Sequence, residues 1–394
     1  MRIFYFSKRL LAELTVSVAF FLLGWLLVNP CLQTLSGSYK VREQFPPLVY
    51  VPGYEQGPRI GAAAAVLIES KSGAILYAKN EEQRRAPAST TKIMTAIVAL
   101  EKGDLAKVVK VSRKAAATGG SSIGIRAGDR LSLKELLKGM MLQSGNDGSI
   151  AVAEGVAGSV DGFVALMNLK AKEIGALKTQ FRNPHGLRAP SHYTTALDLA
   201  LLARYGLADR RFAGLVSQKS ATLQWQAEGK ERELHNTNRL LWQLEGADGV
   251  KTGTTNEAGH CLVASATRDG RQYIAVALHS ADRWGDCARL LEYAFSQFTT
   301  VLVADRRQSV AEIRVNGGNP ALVPLFPRSD LLAVVRKGEE SLIAPRVFLD
   351  RTPPRPPLRP GQSLGKIGYQ YGDGVVEGVD LIVNRPVRKQ WWLW

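Results

Sequence analysis

Residues 86–100 read Ala-Pro-Ala-Ser-Thr-Thr-Lys-Ile-Met-Thr-Ala-Ile-Val-Ala-Leu, a stretch that predicts the start of a buried helix. Pro87 suits the first helical turn because its fixed φ matches the helix. Gly103 is placed to end the helix. The spacing of one buried helix face is i, i+3, i+4, i+7, and it is filled here by Ile93, Ala96, Ile97 and Leu100. Ser89 and Lys92 then lie in the first turn, where side chains three residues apart meet on one face.

The pair Ser89 and Lys92 has the chemistry of a nucleophile and its base. A hydroxyl is a weak nucleophile until a base removes its proton. A lysine acts as that base only if burial or a nearby cation lowers its pKa. The free N–H groups of a helix start also suit a developing oxyanion. The alternative interpretation is a helix cap followed by a surface lysine, because Ser-x-x-Lys also arises by chance.

A second stretch, Gln143-Ser144-Gly145-Asn146-Asp147, lies between two predicted helices. A capping box at 132–135 begins the first helix, and the second is predicted over 150–156. Ser144 and Asn146 therefore occupy a tight connection, and an extended backbone there would point both side chains into the same space. The alternative is an ordinary pair of helix caps, which favour serine and asparagine.

The third stretch is Asp248-Gly249-Val250-Lys251-Thr252-Gly253-Thr254-Thr255, and a strong hairpin around Asp269-Gly270 follows it. The position before the hairpin predicts an edge strand. Glycine on such a strand lets a ligand approach the backbone closely. Lys251 supplies a positive charge for a carboxylate, the Thr252 hydroxyl a hydrogen bond, and Thr254 a backbone N–H that is free at a sheet edge. The alternative is an ordinary turn with a solvated lysine.

Composition limits the class of partner. The chain has 394 residues, enough for two domains, and a net charge of +16. The charge favours an anionic surface, but the basic residues are scattered without interleaved aromatics, so we expect no nucleic acid partner. The histidines and the three cysteines show no metal-ligand spacing. Cys261 and Cys287 are expected to be two buried free thiols, although a bridge between them stays open.

The N-terminus resembles an export segment. Basic Arg2, Lys8 and Arg9 precede an apolar run from about Leu14 to Val28. The basic side stays in the cytoplasm, so the remainder is expected to be exported. No clear cleavage site follows, and an uncleaved anchor is favoured over a cleaved signal peptide. Residues 32–60 contain several prolines and glycines and are predicted to form an extended linker.

The motifs Ser89-x-x-Lys92, Ser144-x-Asn146 and Lys251-Thr252-Gly253, in this order, resemble the three-part set of the penicilloyl serine transferases. The middle motif is Ser-Gly-Asn where Ser-Asp-Asn is the usual form. The flanking sequences at 136–147, 181–187 and 251–266 look like those of the low-molecular-mass penicillin-binding proteins, the serine D-alanyl-D-alanine carboxypeptidases. The resemblance covers residues 60–300 closely and 301–387 more loosely.

The resemblance implies the fold class and the domains. We expect an α/β (α+β) chain with a β-lactamase-like, transpeptidase-like domain, made of an antiparallel sheet and a helical subdomain, plus a small C-terminal β-rich domain. The expected divisions are an anchor or signal peptide at 1–31, the linker at 32–60, the catalytic domain at 61–300, the β-rich domain at 301–387 and a basic, aromatic tail at 388–394.

The resemblance also implies a mechanism without a metal or cofactor. Lys92 takes the proton of Ser89, which attacks the carbonyl of the penultimate D-alanine, while the N–H groups of Ser89 and Thr254 hold the oxyanion. Ser144, held by Lys92 and Asn146, relays a proton to the leaving amine. The substrate carboxylate is expected on Lys251 and Thr252, with Arg239 or Arg283 as a further cation, while Gly253 lets the substrate approach the backbone.

The implied partners are a peptidoglycan pentapeptide, β-lactam antibiotics and the outer face of the cytoplasmic membrane. Two alternatives use the same site, a peptidoglycan endopeptidase and a weak β-lactamase. The second is disfavoured because the chain has no Glu-x-x-x-Asn loop of the kind that activates a deacylating water in class A β-lactamases. A third alternative is a catalytically idle protein that binds the wall or acts as a scaffold.

Overall fold

The computed structural model describes residues 46–226, 229–372 and 374–390. The α-helices are α1 (Lys92–Lys102), α2 (Arg113–Ala116), α3 (Leu133–Leu142), α4 (Asn146–Ala157), α5 (Val160–Ile174), α6 (Ala196–Leu207), α7 (Arg210–Val216), α8 (Leu240–Gln243) and α9 (Arg283–Gln297). The strands up to α9 are β1 (Val49–Tyr50), β2 (Ala64–Glu69), β3 (Ala74–Lys79), β4 (Val108–Lys110), β5 (Arg130–Ser132), β6 (Ser220–Gln224), β7 (Glu231–His235), β8 (Ala247–Thr255), β9 (Gly259–Arg268) and β10 (Arg271–Ser280). The later strands are β11 (Phe298–Ala304), β12 (Ala311–Arg314), β13 (Gly318–Asn319), β14 (Leu322–Pro327), β15 (Leu331–Arg336), β16 (Ala344–Leu349), β17 (Ser363–Tyr371), β18 (Gly374–Val383) and β19 (Arg388–Lys389).

A six-stranded sheet in the order β1-β3-β2-β10-β9-β8 forms the centre of the larger part of the chain. Its pairs are antiparallel except for the short β1, which runs parallel to β3. The hairpin predicted around Asp269-Gly270, β9–β10, is confirmed, and β2 and β3 form a second hairpin. The strand that carries Lys251, Thr252 and Gly253 is β8, and it lies at the edge of the sheet as predicted.

Both faces of this sheet are covered, which explains why its strands are almost continuously apolar. Successive side chains of a strand point to opposite faces. Thus Val66 on β2 belongs to the core shared with the helical subdomain, and Leu67 belongs to the core shared with α9. The helical subdomain consists mainly of α1 to α7, and α6 packs on β10 and β2. The site lies where this subdomain meets β8.

The helix boundaries follow local signals at some ends and tertiary contacts at others. Ser132 Oγ accepts the Glu135 N–H at the start of α3, so the serine half of the predicted capping box is confirmed, while the Glu135 carboxylate accepts from Gln224 N–H instead. The prediction that the next helix begins at Ile150 is wrong, because α4 begins at Asn146. Helix α6 contains Gly206 and continues to Leu207. A Cβ at Gly206 would lie 2.9 Å from the ring of Phe212, so the glycine serves close packing.

The C-terminal part is rich in strands, and the α/β (α+β) fold class with a small C-terminal β-rich unit is confirmed. A five-stranded sheet has the order β12-β14-β18-β17-β16, and β11 pairs with β15. Side chains of this part, such as Val335 and Leu381, join the same buried cluster as Leu290 of α9. Arg336 also donates a hydrogen bond to Gly53 O at 3.3 Å. The two parts therefore share one continuous apolar contact.

The stretch predicted as an extended linker contributes to the large sheet. Val49 and Tyr50 pair with Ala74 and Ile75, so residues 46–60 are not wholly linker. The guanidinium of Arg204 donates to the carbonyl oxygens of Pro46, Ser70 and Lys71, which fastens this entering segment to the β2–β3 turn.

The predicted anchor at 1–31, residues 32–45 of the predicted linker and the last four residues of the tail lie outside the described residues. Within the described ranges no single helix is both long and apolar enough to cross a membrane. Helices α4 and α5 meet that criterion only when taken together across a bend of 86°.

Candidate active site

Ser89 lies in a tight turn that leads directly into α1. Residues Ala88–Thr91 form one turn of 3-10 helix, and the α-helix begins at Lys92. Ala88 has a φ of 48°, and the Thr90 hydroxyl donates to Pro87 O at 2.6 Å. The expected pairing of Ser89 and Lys92 across the first turn is present, since Lys92 Nζ and Ser89 Oγ are 2.8 Å apart.

Lys92 is buried and has three oxygen neighbours. Its Nζ lies 2.8 Å from Ser89 Oγ, 2.7 Å from Asn146 Oδ1 and 2.8 Å from His185 O. The amide oxygen and the carbonyl oxygen can only accept hydrogen bonds. In the neutral amine, both N–H bonds are therefore used by Asn146 and His185, and the lone pair points to the Ser89 hydroxyl. This arrangement suits removal of the serine proton.

Burial lowers the pKa of Lys92 well below its usual value, because the apolar surroundings disfavour the charged form. The positive charge of Lys251 lowers this pKa further, and the negative charge of Asp147 acts in the opposite direction. The structure thus provides both burial and a nearby cation, each of which lowers the pKa of a lysine base.

Ser144 differs from the expectation. It has a left-handed backbone with a φ of 63°, not the extended backbone assumed from the sequence. Its buried Oγ has no hydrogen-bond partner within the described residues, so the prediction that Lys92 and Asn146 hold it is wrong. The backbone differs from the prediction because Asn146 already belongs to α4, so the connection between the two helices is shorter than the sequence indicated. A buried hydroxyl without a partner is unusual and is available to a bound ligand.

Asn146 is fixed on three sides. Its Oδ1 accepts from Lys92, its Nδ2 donates to Gly119 O at 2.8 Å, and its backbone N–H donates to Ser121 O at 2.7 Å. The amide orientation is therefore determined by a segment far from it in sequence. The side chain is 3 % exposed, so these hydrogen bonds are shielded from water.

Strand β8 lies directly beside the serine turn. A Cβ at Gly253 would lie 3.0 Å from Ser89 N and 3.1 Å from Pro87 O, so a side chain at this position would press against the serine turn. Thr252 Oγ1 lies 2.7 Å from Thr237 Oγ1. Lys251 is buried, and burial together with the charge of Arg283 lowers its pKa to about 7.

The two candidate arginines line one cavity of ≈ 530 Å³ at the outer side of β8. Arg283 is held there, since its Nη1 donates to Gly253 O and Thr254 Oγ1, both at 2.8 Å. Its Cζ lies 4.6 Å from the centre of the Trp284 ring, and Arg239 Cζ lies 6.0 Å from the same ring. The structure therefore brings both arginines to the strand of Lys251, with Arg283 in direct contact.

Sequence reasoning missed two contributions to the site. The first is the carbonyl oxygen of His185, which accepts a hydrogen bond from Lys92. The loop that carries it packs closely on the serine turn, since a Cβ at Gly186 would lie 1.8 Å from Ala88 O. The Pro-His-Gly sequence could have drawn attention to this loop. The second is Thr237, which shares a hydrogen bond with Thr252. Burial lowers the pKa of His185 to about 3, so the imidazole is neutral.

The cysteines lie apart from this chemistry. Cys261 and Cys287 are free, buried thiols, and the favoured interpretation is confirmed. Burial raises the pKa of Cys261, which keeps it as a thiol.

In the described parts of the chain, no group of three or more His, Cys, Asp or Glu side chains is placed to hold a metal ion.

Two family profiles match the chain. Residues 53–282 match the D-alanyl-D-alanine carboxypeptidase family, and residues 298–389 match the C-terminal domain of penicillin-binding protein 5. The D-alanyl-D-alanine carboxypeptidase DacF of Bacillus subtilis (strain 168) is 37% identical over 338 residues, which cover 83% of this chain and 86% of that protein. DacC of Escherichia coli (strain K12), another D-alanyl-D-alanine carboxypeptidase, is 35% identical over 351 residues, covering 85% of this chain and 86% of that protein.

The structural comparison agrees with the sequence comparison. The crystal structure of penicillin binding protein 5 from Haemophilus influenzae matches with a TM-score of 0.76 at 31% identity and covers 85% of this chain and 99% of that one. The match includes both the large sheet with its helices and the β-rich C-terminal part.

Proposed function

The chain belongs to the D-alanyl-D-alanine carboxypeptidase family and is a serine-type carboxypeptidase of the penicillin-binding proteins, and we propose that Ser89 is its nucleophile and Lys92 its general base. The observation that carries this proposal is the set of three contacts of Lys92 Nζ, which leaves the lone pair of the neutral amine on Ser89 Oγ. Ser89 attacks the carbonyl carbon of the penultimate D-alanine, and an acyl-enzyme forms.

The oxyanion of the tetrahedral intermediate is proposed to lie between the backbone N–H groups of Ser89 and Thr254. The close approach of Gly253 to the serine turn supports this, because a Cβ at Gly253, the neighbour of Thr254, would lie 3.0 Å from Ser89 N. Removing one such donor in other enzymes costs about 2.7–4 kcal/mol of transition-state stabilisation.

The terminal carboxylate of the substrate is proposed to bind Lys251, Thr252 and Arg283, with Arg239 at the outer rim. The charge of Arg283 lowers the pKa of Lys251, so an anion bound beside the two cations would relieve their repulsion. Gly253 leaves room for the substrate backbone to align with the edge of β8.

Ser144 is proposed to donate its hydroxyl proton to the leaving amine and to take in return the proton that Lys92 removed from Ser89. Its Oγ is buried and has no partner within the described residues, so it is available to bond the departing nitrogen. Terminal D-alanine then leaves, and water releases the shortened peptide from Ser89. With a β-lactam, the leaving nitrogen stays tethered to the acyl group, so the acyl-enzyme is expected to persist.

The substrate is a peptidoglycan stem peptide, β-lactams bind the same site, and the enzyme is extracytoplasmic. We further infer that the apolar run at 14–28 tethers the enzyme to the outer face of the cytoplasmic membrane, in accord with its basic flank. The proposed divisions remain 1–31 for the tether, 32–60 for the connection that ends by joining the sheet, 61–300 for the catalytic domain, and 301–387 with the tail 388–394 for the C-terminal part.

The test uses the protein from about Gly57 onward and beside it the full chain in detergent, since residues 46–56 contribute to the sheet. Release of D-alanine from a peptide that ends in D-Ala-D-Ala is measured for wild type and Ser89→Ala. We expect release by wild type alone and penicillin labelling that depends on Ser89. Labelling without release would favour a cross-link endopeptidase, and equal release by both proteins would exclude Ser89 as the nucleophile.

A further inference from the structure

The segment 119–125 borders the site, yet the chemistry proposed above does not use its residues. It contains Gly119, Gly120 and Ser121, which are exposed, followed by the buried Ile123. This segment is held by Asp147, a carboxylate that is 1 % exposed and has no assigned role in the reaction.

Asp147 binds the segment through a run of backbone N–H groups. Ile123 N–H lies 3.0 Å from Asp147 Oδ1 and 3.1 Å from Oδ2, and Gly124 N–H donates to Oδ2 at 3.1 Å. The Ser122 hydroxyl donates to Oδ2 at 2.6 Å. Gly148 N–H, at the start of α4, donates to Oδ1 at 2.8 Å. Such charge-assisted hydrogen bonds to backbone N–H groups are among the stronger ones in proteins.

The side chain of Ile123 fixes the same segment from the apolar side. A Cβ at Gly139, Gly145 or Gly148 would lie 2.6, 2.8 or 3.2 Å from Ile123 atoms. The isoleucine thus fills a slot between the end of α3 and the start of α4. The carboxylate and the slot together hold segment 119–125 at one position.

This segment in turn holds Asn146. Ser121 O accepts the backbone N–H of Asn146, and Gly119 O accepts from its Nδ2. An Asn amide that donates Nδ2 to one side presents its oxygen to the other, here to Lys92. The line of contacts therefore runs from Asp147 through segment 119–125 to the Asn146 amide and then to the proposed base.

We propose that Asp147 is a positioning residue of this carboxypeptidase, whose buried carboxylate holds segment 119–125 against Asn146 and so fixes the Asn146 amide on Lys92. The proposal rests on the assignment of Ser89 and Lys92 given above. It adds Asp147, the residue after the Ser-x-Asn motif, and segment 119–125, which lies more than twenty positions before Asp147 in the sequence.

The charge of Asp147 affects the pKa of Lys92, so the pH dependence of acylation tests the proposal independently of folding. The charged and titratable groups that face Lys92 are Asp147 from α4, Lys251 from β8 and the neutral His185 from its loop. Asp147 raises the pKa of Lys92, while burial and Lys251 lower it. Removing the Asp147 charge therefore lowers the pKa of Lys92 further, and the neutral base persists to lower pH.

The experiment compares wild type, Asp147→Asn and two controls. The rate of acylation by a fluorescent penicillin is measured from pH 5 to 9 and divided by the final stoichiometry of labelling, so unfolded protein does not enter the rate. Ser122→Ala removes one contact to Asp147 but keeps its charge. Asp286→Asn removes a carboxylate that is equally buried but lies in the other core, where it accepts from Gly61 N–H and Ser280.

Asp147→Asn is expected to lower the rate per labelled site on the order of 10- to 10²-fold through misplacement of the base, and to move the acidic limb of the profile to lower pH. Ser122→Ala should lower the rate less and leave the limb in place, and Asp286→Asn should change neither. An unchanged rate per site in Asp147→Asn, or a reduced rate with an unmoved limb, would overturn the proposal.

Two further outcomes are separable. If Asp147→Asn does not fold, an unchanged rate in Ser122→Ala overturns the proposal, and a reduced rate supports it. If penicillin fails to label Ser89 in the wild type, the assignment of the nucleophile fails, which is distinct from a failure of the positioning role.

Discussion

The start of α1 and the edge strand β8 each bury one lysine, and the two lysines have opposite tasks. Lys92 is surrounded by acceptors that use its N–H bonds, and its remaining lone pair meets a hydroxyl. Lys251 Nζ contacts Thr252 O at 3.1 Å and Thr252 Oγ1 at 3.4 Å, and it lies beside the guanidinium of Arg283. Burial is the same in both regions, so the neighbours decide between a base and an anion-binding cation.

Replacement of Lys92 is expected to have the largest effect. Lys92→Gln keeps a polar side chain of similar length but removes the basic nitrogen. We expect the acylation of Ser89 by penicillin to fall by about 10²–10⁴-fold, which is the usual contribution of a general base. Penicillin acylation followed by stopped-flow or quench measures this rate. Acylation at the wild-type rate would show that another group removes the serine proton.

Replacement of Lys251 is expected to weaken binding of the substrate carboxylate. Lys251→Gln removes one charged donor to the substrate carboxylate, and a hydrogen bond to a charged group contributes about 1.5–3 kcal/mol. We expect kcat/KM for a peptide ending in D-alanine to fall by roughly 10- to 10²-fold, mostly through KM. A peptide with an amidated C-terminus is the control, because it has no carboxylate to lose. An equal loss for both peptides would contradict the assignment.

The pH dependence of kcat/KM is the smallest expected effect, and it separates the roles of Lys92 and Lys251. Lys92 must be neutral, so kcat/KM falls as the pH drops through its lowered pKa. Lys251 must be protonated, so kcat/KM also falls as the pH rises above about 7, the pKa of the free enzyme. A bound carboxylate raises the pKa of Lys251, so the alkaline limb of kcat should lie at higher pH than that of kcat/KM. An alkaline limb at the same pH in both profiles would count against Lys251 as the carboxylate anchor.

Much of the fold could be predicted because its signals are local. The serine cap at Ser132, the Asp269-Gly270 turn and the apolar run of β9 each act within a few residues. The linker prediction was wrong for residues 46–51 because a strand of two residues carries no pattern of its own. Its place in the sheet depends on β3 and on the Arg204 contacts.

The site was predictable to the extent that it consists of side chains with distinctive chemistry. Ser89 and Lys92 are brought together by helix geometry alone, and the order of strands around a hairpin placed Lys251 at an edge. Ser144 was placed correctly in the connection between helices but given the wrong conformation. A left-handed serine has no sequence signal that separates it from an extended one, because a few per cent of non-glycine residues adopt this region in any context.

The sequence by itself determined the three motifs, their order and the elements that carry them, because side-chain type and periodicity are properties of the chain. Only the tertiary structure decided the state of Lys92, since its partners include the carbonyl oxygen of His185 and an amide turned by Gly119 and Ser121. Backbone carbonyl and N–H groups are alike at nearly every residue, so no sequence pattern marks the ones that a fold will bring to a lysine. Burial, which sets the pKa of that lysine, likewise exists only once the helices and the sheet have packed together.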